Sequence, residues 1–257
     1  MVHNVAGKIL MRFGDKNNQP DIAVIIPVLN ESRRLLPLLD WLTARGEHLK
    51  VVIVDGGSED DTPAICGRYH FRLIRSAAGR ARQMNAGAAQ IRADIYWFIH
   101  ADCLPPDDAI DAIGHALSSG HDWGRFDVRL TGKQRVYRLI EWLMNKRSCL
   151  TGVATGDQGI FMRGEVYRKI GGFPRIALME DVAICKRLRK ISRPACLRSR
   201  LQVSSRRWQQ YGIFKTICLM WRLRLQYFLG ASPQYLHARY YACRNAGQVE
   251  KHIVEEE

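Results

Sequence analysis

Short apolar runs alternate with amphipathic segments from residue 21 to about residue 203. The apolar runs are typical of buried strands, and the segments between them repeat apolar side chains at helical spacing. The predicted strands are 22–29, 50–54, 71–75, 95–99, 126–130, 159–162 and 197–203, with 126–130 alternating as an edge strand does. The predicted helices are 32–45, a segment opening at 58, 80–92, 107–117, 136–145, 179–191 and 208–229. This order predicts an α/β fold with a mostly parallel sheet flanked by helices.

Acidic residues stand at the ends of three predicted strands. Glu31, Asp55 and Asp102 each follow an apolar run directly or after one or two residues. In an open α/β sheet, ligands bind outside the carboxyl ends of the strands. We therefore expect these three carboxylates at one edge of the sheet, where they favour a crevice for a nucleotide and a metal ion.

The chain of 257 residues is long enough to bury a sizeable core. We expect a flexible leader over 1–20, one catalytic domain over 21–207, and a basic amphipathic helix and tail over 208–257. No apolar run approaches the roughly 20 residues that span a bilayer, and the first 20 residues lack the apolar core of a signal peptide. We expect a cytoplasmic protein, peripheral to the membrane at most.

Seven cysteines are scattered along the chain without a Cys-x-x-Cys pair. This usage predicts reduced thiols rather than a disulfide framework or a zinc site.

The net charge of +14 comes from the C-terminal part of the chain. Residues 182–249 contain 14 Lys or Arg and no Asp or Glu, and the remaining residues are neutral overall. Nucleic acid, anionic lipid or a phosphorylated substrate would each account for such a block, and so would a solvated basic helix.

The predicted helix over 208–229 is amphipathic. An apolar arc on one side is formed by Phe214, Ile217, Cys218, Trp221, Leu225 and Phe228, flanked by Lys215, Arg222 and Arg224. Cations beside an apolar face are typical of helices that lie on a membrane surface. Leu219 and Leu223 lie opposite, so we expect that side to pack on the catalytic domain.

Five segments in order carry a family resemblance. They are IIPVLNE (25–31), VDGGSEDDT (54–62), GRARQMNAG (79–87), HAD (100–102) and ED (180–181). Together they resemble the inverting glycosyltransferases of family 2, which have the GT-A fold. The order and the residues of these segments are similar to those of a bacterial subgroup named for its association with radical SAM or selenium-domain proteins. Some members of that subgroup act in arsenosugar biosynthesis.

The resemblance implies a nucleotide-sugar donor, with UDP as the expected nucleotide. The implied donor-binding residues are Pro27, Leu29, Glu31, Asp55, Arg80, Asn85, Asp157, Arg207 and Trp208. For three of them a structural role stays open: Asp55 as a helix cap at a plain tight turn, Asn85 in packing its helix against the sheet, and Asp157 in a turn. Arg207 and Trp208 resemble part of the Gln-x-x-Arg-Trp motif of processive synthases, but Ser204 stands where Gln belongs.

The implied cofactor is a divalent metal, Mn²⁺ or Mg²⁺. Family members carry Asp-x-Asp where this chain has His100-Ala101-Asp102. Asp102 is the expected metal ligand. His100 is either a second ligand or an ordinary strand-end histidine, since oxygen suits these ions better than nitrogen.

Glu180 and Asp181 resemble the catalytic pair of the family. The resemblance implies that Asp181 is the general base that takes the proton of the acceptor, with Glu180 supporting it. The alternative is an acidic pair that merely stabilises a helix N-terminus.

The acceptor stays open at this point: a hydroxyl, a carboxyl or a phosphate, on a lipid or a small metabolite. Two other functions are considered. A GT-A-like nucleotidyltransferase would carry a glycine-rich basic loop after the first strand, which is absent here. A nucleic-acid-binding protein would explain the basic block but not the carboxylates at the strand ends, so no nucleic-acid partner is expected.

Overall fold

The computed structural model of the chain describes residues 20–46 and 49–242, without the side chain of Arg207. The strands are β1 Ile22–Val28, β2 Leu49–Asp55, β3 Arg72–Arg75, β4 Ile95–Phe98, β5 Cys103–Leu104, β6 Trp123–Leu130, β7 Phe161–Arg163 and β8 Ala195–Val203. The helices are α1 Leu35–Thr43, α2 Thr62–Cys66, α3 Arg80–Ala89, α4 Ala109–Ser118, α5 Arg135–Thr151, α6 Gly164–Ile170, α7 Glu180–Leu188, α8 Arg206–Tyr211, α9 Ile213–Phe228 and α10 over 233–242.

The strands form one sheet in the order β3-β2-β1-β4-β7-β6-β8-β5. Strands β1 to β4 are mutually parallel, β7 runs antiparallel to β4 and β6, and β8 runs parallel to β6. Only β5 and β7 therefore run against the other strands among the described residues. The predicted α/β fold with a mostly parallel sheet is confirmed.

The prediction of an edge strand at 126–130 is wrong. Strand β6 lies between β7 and β8. Its second half alternates because Phe126, Val128 and Leu130 are buried, whereas Asp127 is half-buried and Arg129 is exposed. The alternation therefore arises because one face of this part of β6 is exposed to solvent, and not because the strand lies at the edge of the sheet.

The two faces of the sheet carry separate apolar cores. In β1, Ile22, Val24 and Ile26 face one core, while Ala23 and Ile25 face the other, as strand geometry requires. Helices α1, α4 and α5 cover the first face, and helices α3, α7, α9 and α10 contribute to the second. This two-sided burial leaves the carboxyl ends of the strands open to a ligand.

A disulfide joins Cys149 in α5 to Cys196 in β8, with their Cα atoms 5.8 Å apart. The prediction that all cysteines are reduced is therefore wrong for this pair. A separation of 47 residues leaves no local spacing signal from which the pairing could be read. Cys66, Cys103 and Cys185 are buried free thiols, and Cys218 is an exposed one.

The predicted helix over 208–229 is two helices. Gly212 interrupts it with φ 78° and ψ 145°, a backbone conformation that glycine adopts readily. On α9, Leu223 is buried and Leu219 packs against the same core, as the amphipathic pattern predicts.

Within the described part of the chain, every helix is too short or too polar to traverse a bilayer. The predicted leader, apart from residue 20, and the tail beyond residue 242 lie outside the described residues.

Candidate active site

A cavity of about 460 Å³ lies at the end of β1 and β4, with α5, α8 and α9 around it. One part of its wall is polar and charged: Glu31, Arg34, Arg80, His100, Asp102 and Asp157. Another part is apolar: Val128, Leu130, Ile140, Leu143, Met144, Ile217, Met220 and Trp221. A cavity with these two parts is suited to a ligand that has both a charged and an apolar portion.

Glu31 is held at the end of β1 by its neighbours. Its N–H donates to Thr62 Oγ1 at 2.8 Å, and its carboxylate lies 2.5 Å from Arg34 Nη1. Burial raises the pKa of Glu31; Arg34 opposes this rise, whereas the charge of Asp102 adds to it. The preceding Asn30 adopts φ 55°, which asparagine tolerates better than most residues.

Asp55 ends β2 and is fully buried. Its carboxylate accepts the N–H of Ser58 at 3.0 Å and that of Gly57 at 3.3 Å, and Arg75 Nε lies 3.7 Å away. Asp55 is not among the residues that line the cavity. These contacts agree with the role in a tight turn that the sequence left open.

Gln83 also shapes this edge of the sheet, although it is not among the site residues expected from the sequence. It is buried in α3, and its Nε2 donates to the carbonyl oxygens of Val28 and Val54, both at 2.8 Å. It therefore ties the ends of β1 and β2 together. Three other polar residues share this helix, Arg80, Arg82 and Asn85, so no signal in the sequence marks this position.

Three potential metal ligands meet at the polar end of the cavity. Single donor atoms of His100, Asp102 and Asp157 all lie within 4.8 Å of one another, and His100 Nδ1 is 3.1 Å from Asp157 Oδ1. Asp157 thus supplies a second carboxylate beside Asp102, where the His-Ala-Asp sequence has one carboxylate fewer than Asp-x-Asp. Two carboxylates and an imidazole fit Mn²⁺, and the carboxylates also suit Mg²⁺.

The electrostatics of this cluster favour a cation. Burial raises the pKa of the Cys103 thiol well above its usual value, and the charges of Asp102 and Asp157 raise it further. The same Asp102 charge raises the pKa of Glu31. A cation bound beside Asp102 and Asp157 would offset the negative charge that raises the pKa values of these neighbouring groups.

Gly156 allows the segment that carries Asp157 to approach His100. A Cβ atom at residue 156 would lie 2.3 Å from Cε1 of the His100 ring. No real side chain fits at that distance, so the glycine is required by close packing.

We expect Gly156→Ala to displace His100 and Asp157, because the imidazole cannot yield without losing its contact with Asp157. Overpacking of this kind costs about 1–3 kcal/mol of unfolding free energy. Thermal unfolding measures the loss, and electron paramagnetic resonance of Mn²⁺ measures metal affinity. Gly67→Ala is the control: its φ is −65° and the nearest contact of a Cβ would be an ordinary 3.5 Å. A Gly156→Ala protein with unchanged stability and Mn²⁺ affinity would contradict the packing argument.

Glu180 and Asp181 begin α7, next to the cluster. Met179 precedes them with φ 68°, and Asp181 Oδ2 accepts the N–H of Gly156 at 3.2 Å. Burial and the charge of Asp181 raise the pKa of Glu180, while Arg80 opposes the rise. The two carboxylates do not line the cavity themselves; Asp181 adjoins it through the segment at 156–157.

Of the remaining predicted donor-binding residues, some line the cavity and others do not. Pro27, Arg80 and Trp208 line the cavity, and Arg80 is the first residue of α3, after Gly79. Leu29 is exposed and does not line it. The side chain of Arg207 lies outside the described part.

Asn85 lies away from the cavity. Its Nδ2 donates to the carbonyl oxygen of Phe173 at 2.8 Å, and its Oδ1 accepts the N–H of Phe173 and the hydroxyl of Tyr167. These bonds join α3 to α6 and to the segment after it. They are structural contacts, but they do not reach the sheet, against which the sequence suggested that Asn85 packs its helix.

A crevice at the carboxyl ends of parallel strands, lined by clustered carboxylates, is typical of nucleotide-binding α/β proteins. The sequence model described as "Glycosyl transferase family 2" matches residues 23–164. The chain therefore belongs to glycosyl transferase family 2.

Known relatives and structures agree with that membership. An undecaprenyl-phosphate 4-deoxy-4-formamido-L-arabinose transferase of Aeromonas hydrophila is 27% identical over 168 residues, which is 58% of this chain and 49% of that protein. The chain spans about half the length of the curated relatives it matches.

Two solved structures confirm the GT-A fold. TarS 1–349 of S. aureus in complex with UDP has a TM-score of 0.59 and 15% identity, covering 72% of this chain and 60% of that one. The mannosyltransferase PcManGT of Pyrobaculum calidifontis in complex with GDP-Man and Mn²⁺ has a TM-score of 0.57 and 17% identity, covering 94% and 79%.

Proposed function

We propose that this protein is an inverting glycosyltransferase that moves a sugar from a nucleotide-sugar donor, with UDP as the expected nucleotide, to a lipid-linked phosphate. The observation that carries the proposal is that His100, Asp102 and Asp157 line the same cavity as an apolar wall. Membership of the family supports the reaction class, and the two-part wall supports an amphipathic acceptor.

The donor end is the polar part of the cavity. His100, Asp102 and Asp157 would hold Mn²⁺ or Mg²⁺, which when bound offsets the negative charge that develops on the departing nucleoside diphosphate. Arg80, at the start of α3, adds a cation and backbone N–H groups that suit a diphosphate. Pro27 and Glu31, at the end of β1, are placed to contact the nucleoside.

Inversion needs one displacement at the anomeric carbon, without a covalent intermediate. Asp181 is the proposed base that takes the proton of the acceptor, and Glu180 supports it through its charge. The hydrogen bond from Gly156 N–H fixes the Asp181 carboxylate beside the segment that carries Asp157. The proposed base is thereby tied to the segment that carries Asp157, a proposed metal ligand.

The lipid-linked acceptor is supported by two observations. The relative from Aeromonas hydrophila is named for undecaprenyl phosphate. Apolar side chains continue from the cavity onto the surface, where Leu139 and Trp142 of α5 and Trp221 and Leu225 of α9 are more than half exposed. Such a surface would receive an apolar chain that stays in a membrane.

We propose further that α9 rests peripherally on an anionic membrane at the cytoplasmic face. Phe214 and Phe228 are exposed, and Lys215 and Arg222 beside them are exposed cations. The double variant Phe214→Ser/Phe228→Ser is expected to reduce co-sedimentation with phosphatidylglycerol vesicles at least about fivefold, because apolar burial and charge act together. Leu36→Ser in α1, an exposed apolar site elsewhere in the chain, is the control. Equal vesicle binding by both variants would contradict a membrane role for α9.

We also propose that the protein belongs to the subgroup associated with radical SAM or selenium-domain proteins, which the order of the five motifs supports. We likewise propose that the chain divides into a catalytic domain over 21–207 and a C-terminal helical region from 208.

A transfer assay tests the reaction. The protein is incubated with Mn²⁺, UDP-sugars or GDP-mannose, and a polyprenyl phosphate in detergent, and labelled sugar is counted in the organic phase. Transfer from a UDP-sugar is expected. Nucleotide binding without transfer to any lipid phosphate would contradict the proposed acceptor, and the absence of nucleotide binding would contradict the reaction.

A further inference from the structure

Two arginines from different helices line the cavity away from the metal-type ligands. Arg147 lies in α5 and Arg224 in α9. Arg147 Nη1 donates to the carbonyl oxygen of Val153 at 3.0 Å, but its Nη2 is buried and no described group accepts a hydrogen bond from it. The Nε of Arg224 is also buried and finds no acceptor in the described part of the chain.

Buried donors without acceptors are uncommon, because leaving one unpaired costs about 1–3 kcal/mol. Two of them on cations that line one cavity indicate a place where a ligand supplies the acceptors. A guanidinium carries five N–H donors in a planar fork, and this geometry matches phosphate oxygens.

The charges around the pair point to the same ligand. Burial and, to a smaller extent, the positive charge of Arg224 lower the pKa of Arg147 to about 10, while the charge of Asp181 opposes them. Arg147 is still cationic at neutral pH. An anion between the two guanidinium groups would relieve both the burial and the mutual repulsion.

The walls beside the arginines are apolar. Leu143 and Met144 lie on α5 next to Arg147, and Met220 and Trp221 lie on α9 next to Arg224. A free inorganic anion would leave this surface unused. A phosphate on an apolar chain would cover it, with the chain leading out between α5 and α9.

We propose that Arg147 and Arg224 form the binding site for the phosphate of a lipid phosphate monoester, which is the acceptor. This inference rests on the proposed function. An oxygen of the phosphate forms the new bond to the anomeric carbon, the bond from that carbon to the diphosphate breaks, and the nucleoside diphosphate leaves with the electron pair. A dianionic phosphate releases no proton in this step, and a monoanionic one gives its proton to Asp181.

The test measures ligand binding, without metal or nucleotide, by calorimetry. Arg147→Gln and Arg224→Gln are compared with Lys146→Gln in α5 and Lys169→Gln in α6, which remove exposed cations that do not line the cavity. The ligands are farnesyl phosphate, farnesol, palmitate and inorganic phosphate. Circular dichroism verifies folding, and Arg147→Lys replaces Arg147→Gln if the loss of the Val153 contact unfolds the chain.

We expect each arginine variant to weaken farnesyl phosphate binding about 10- to 100-fold, as the loss of a hydrogen bond to a charged group does. The control variants should bind it like the wild type. Unchanged affinity for farnesyl phosphate in both arginine variants would overturn the proposal, and so would farnesol or inorganic phosphate binding as tightly as farnesyl phosphate. Palmitate binding as tightly would also overturn it, because it would indicate a carboxylate acceptor. An equal loss of UDP affinity in the arginine variants would overturn it by placing the pair in the donor site.

UDP binding in the presence of Mn²⁺ is measured on the same proteins. Arginine-dependent binding of farnesyl phosphate without any nucleotide binding would refute the proposed function and leave the anion site standing. If nucleotide binds and farnesyl phosphate binds independently of the arginines, the anion site is refuted and the proposed function stands.

Discussion

Asp102→Asn is expected to lower the rate of sugar transfer by about 10²–10³-fold and to remove the dependence of UDP binding on Mn²⁺. The change keeps the size of the side chain and takes away one of two carboxylate charges in the cluster with Asp157 and His100. A fixed positive charge at a departing diphosphate contributes several kcal/mol to the transition state, so its loss has an effect of this size.

The readouts are the transfer rate and Mn²⁺ affinity, the latter measured on the protein without nucleotide by electron paramagnetic resonance. Asp111→Asn, an exposed aspartate in the first turn of α4, is the control and should behave like the wild type. If Asp102→Asn bound Mn²⁺ as tightly as the wild type, the assignment of the metal site to this cluster would be wrong.

Asp181→Asn is expected to lower the transfer rate about fourfold at pH 5.5, with UDP affinity unchanged, because only about a quarter of a phosphate monoester is then the dianion that reacts without a base. The acceptor proposed here is a phosphate monoester, which loses its second proton near pH 6. Below that pH the phosphate carries a proton that a base must take, and above it the phosphate is a dianion that needs no base. The loss should therefore shrink as the pH rises from about 5.5 to about 8.

The rate is measured across this pH range for the wild type, Asp181→Asn and Glu165→Gln. Glu165 is an exposed acidic residue in the first turn of α6, so its variant controls for charge at a helix N-terminus. A loss that stays constant with pH would indicate a hydroxyl acceptor. A loss of UDP affinity instead would show that Asp181 acts by holding Gly156 in place.

Local patterns in the sequence were sufficient to predict the fold. The alternation of Ala23 and Ile25 with Val24 and Ile26 is explained by a strand covered on both faces, and the acidic strand ends followed from the same apolar runs. Strand β5 was missed because two residues carry no periodicity. The sequence does not predict the break at Gly212, because a single glycine inside a helical pattern is often tolerated.

The site was predicted less completely, because its parts meet only in three dimensions. His100 and Asp102 follow a predicted strand, but the contact of His100 with Asp157 joins residues 57 positions apart. Arg147 and Arg224 lie on two helices and carry no motif. The sequence therefore identifies side chains that stand at strand ends, and it does not identify those that the packing of helices brings to the cavity.

The central claim is that this cavity binds a nucleotide sugar through a divalent metal. Calorimetric titration of the wild-type protein with UDP and with GDP, each with and without Mn²⁺, tests it most directly. We expect UDP to bind tightly only when Mn²⁺ is present, and more tightly than GDP. If neither nucleotide binds under either condition, the protein keeps the fold of its family but does not have the activity proposed here.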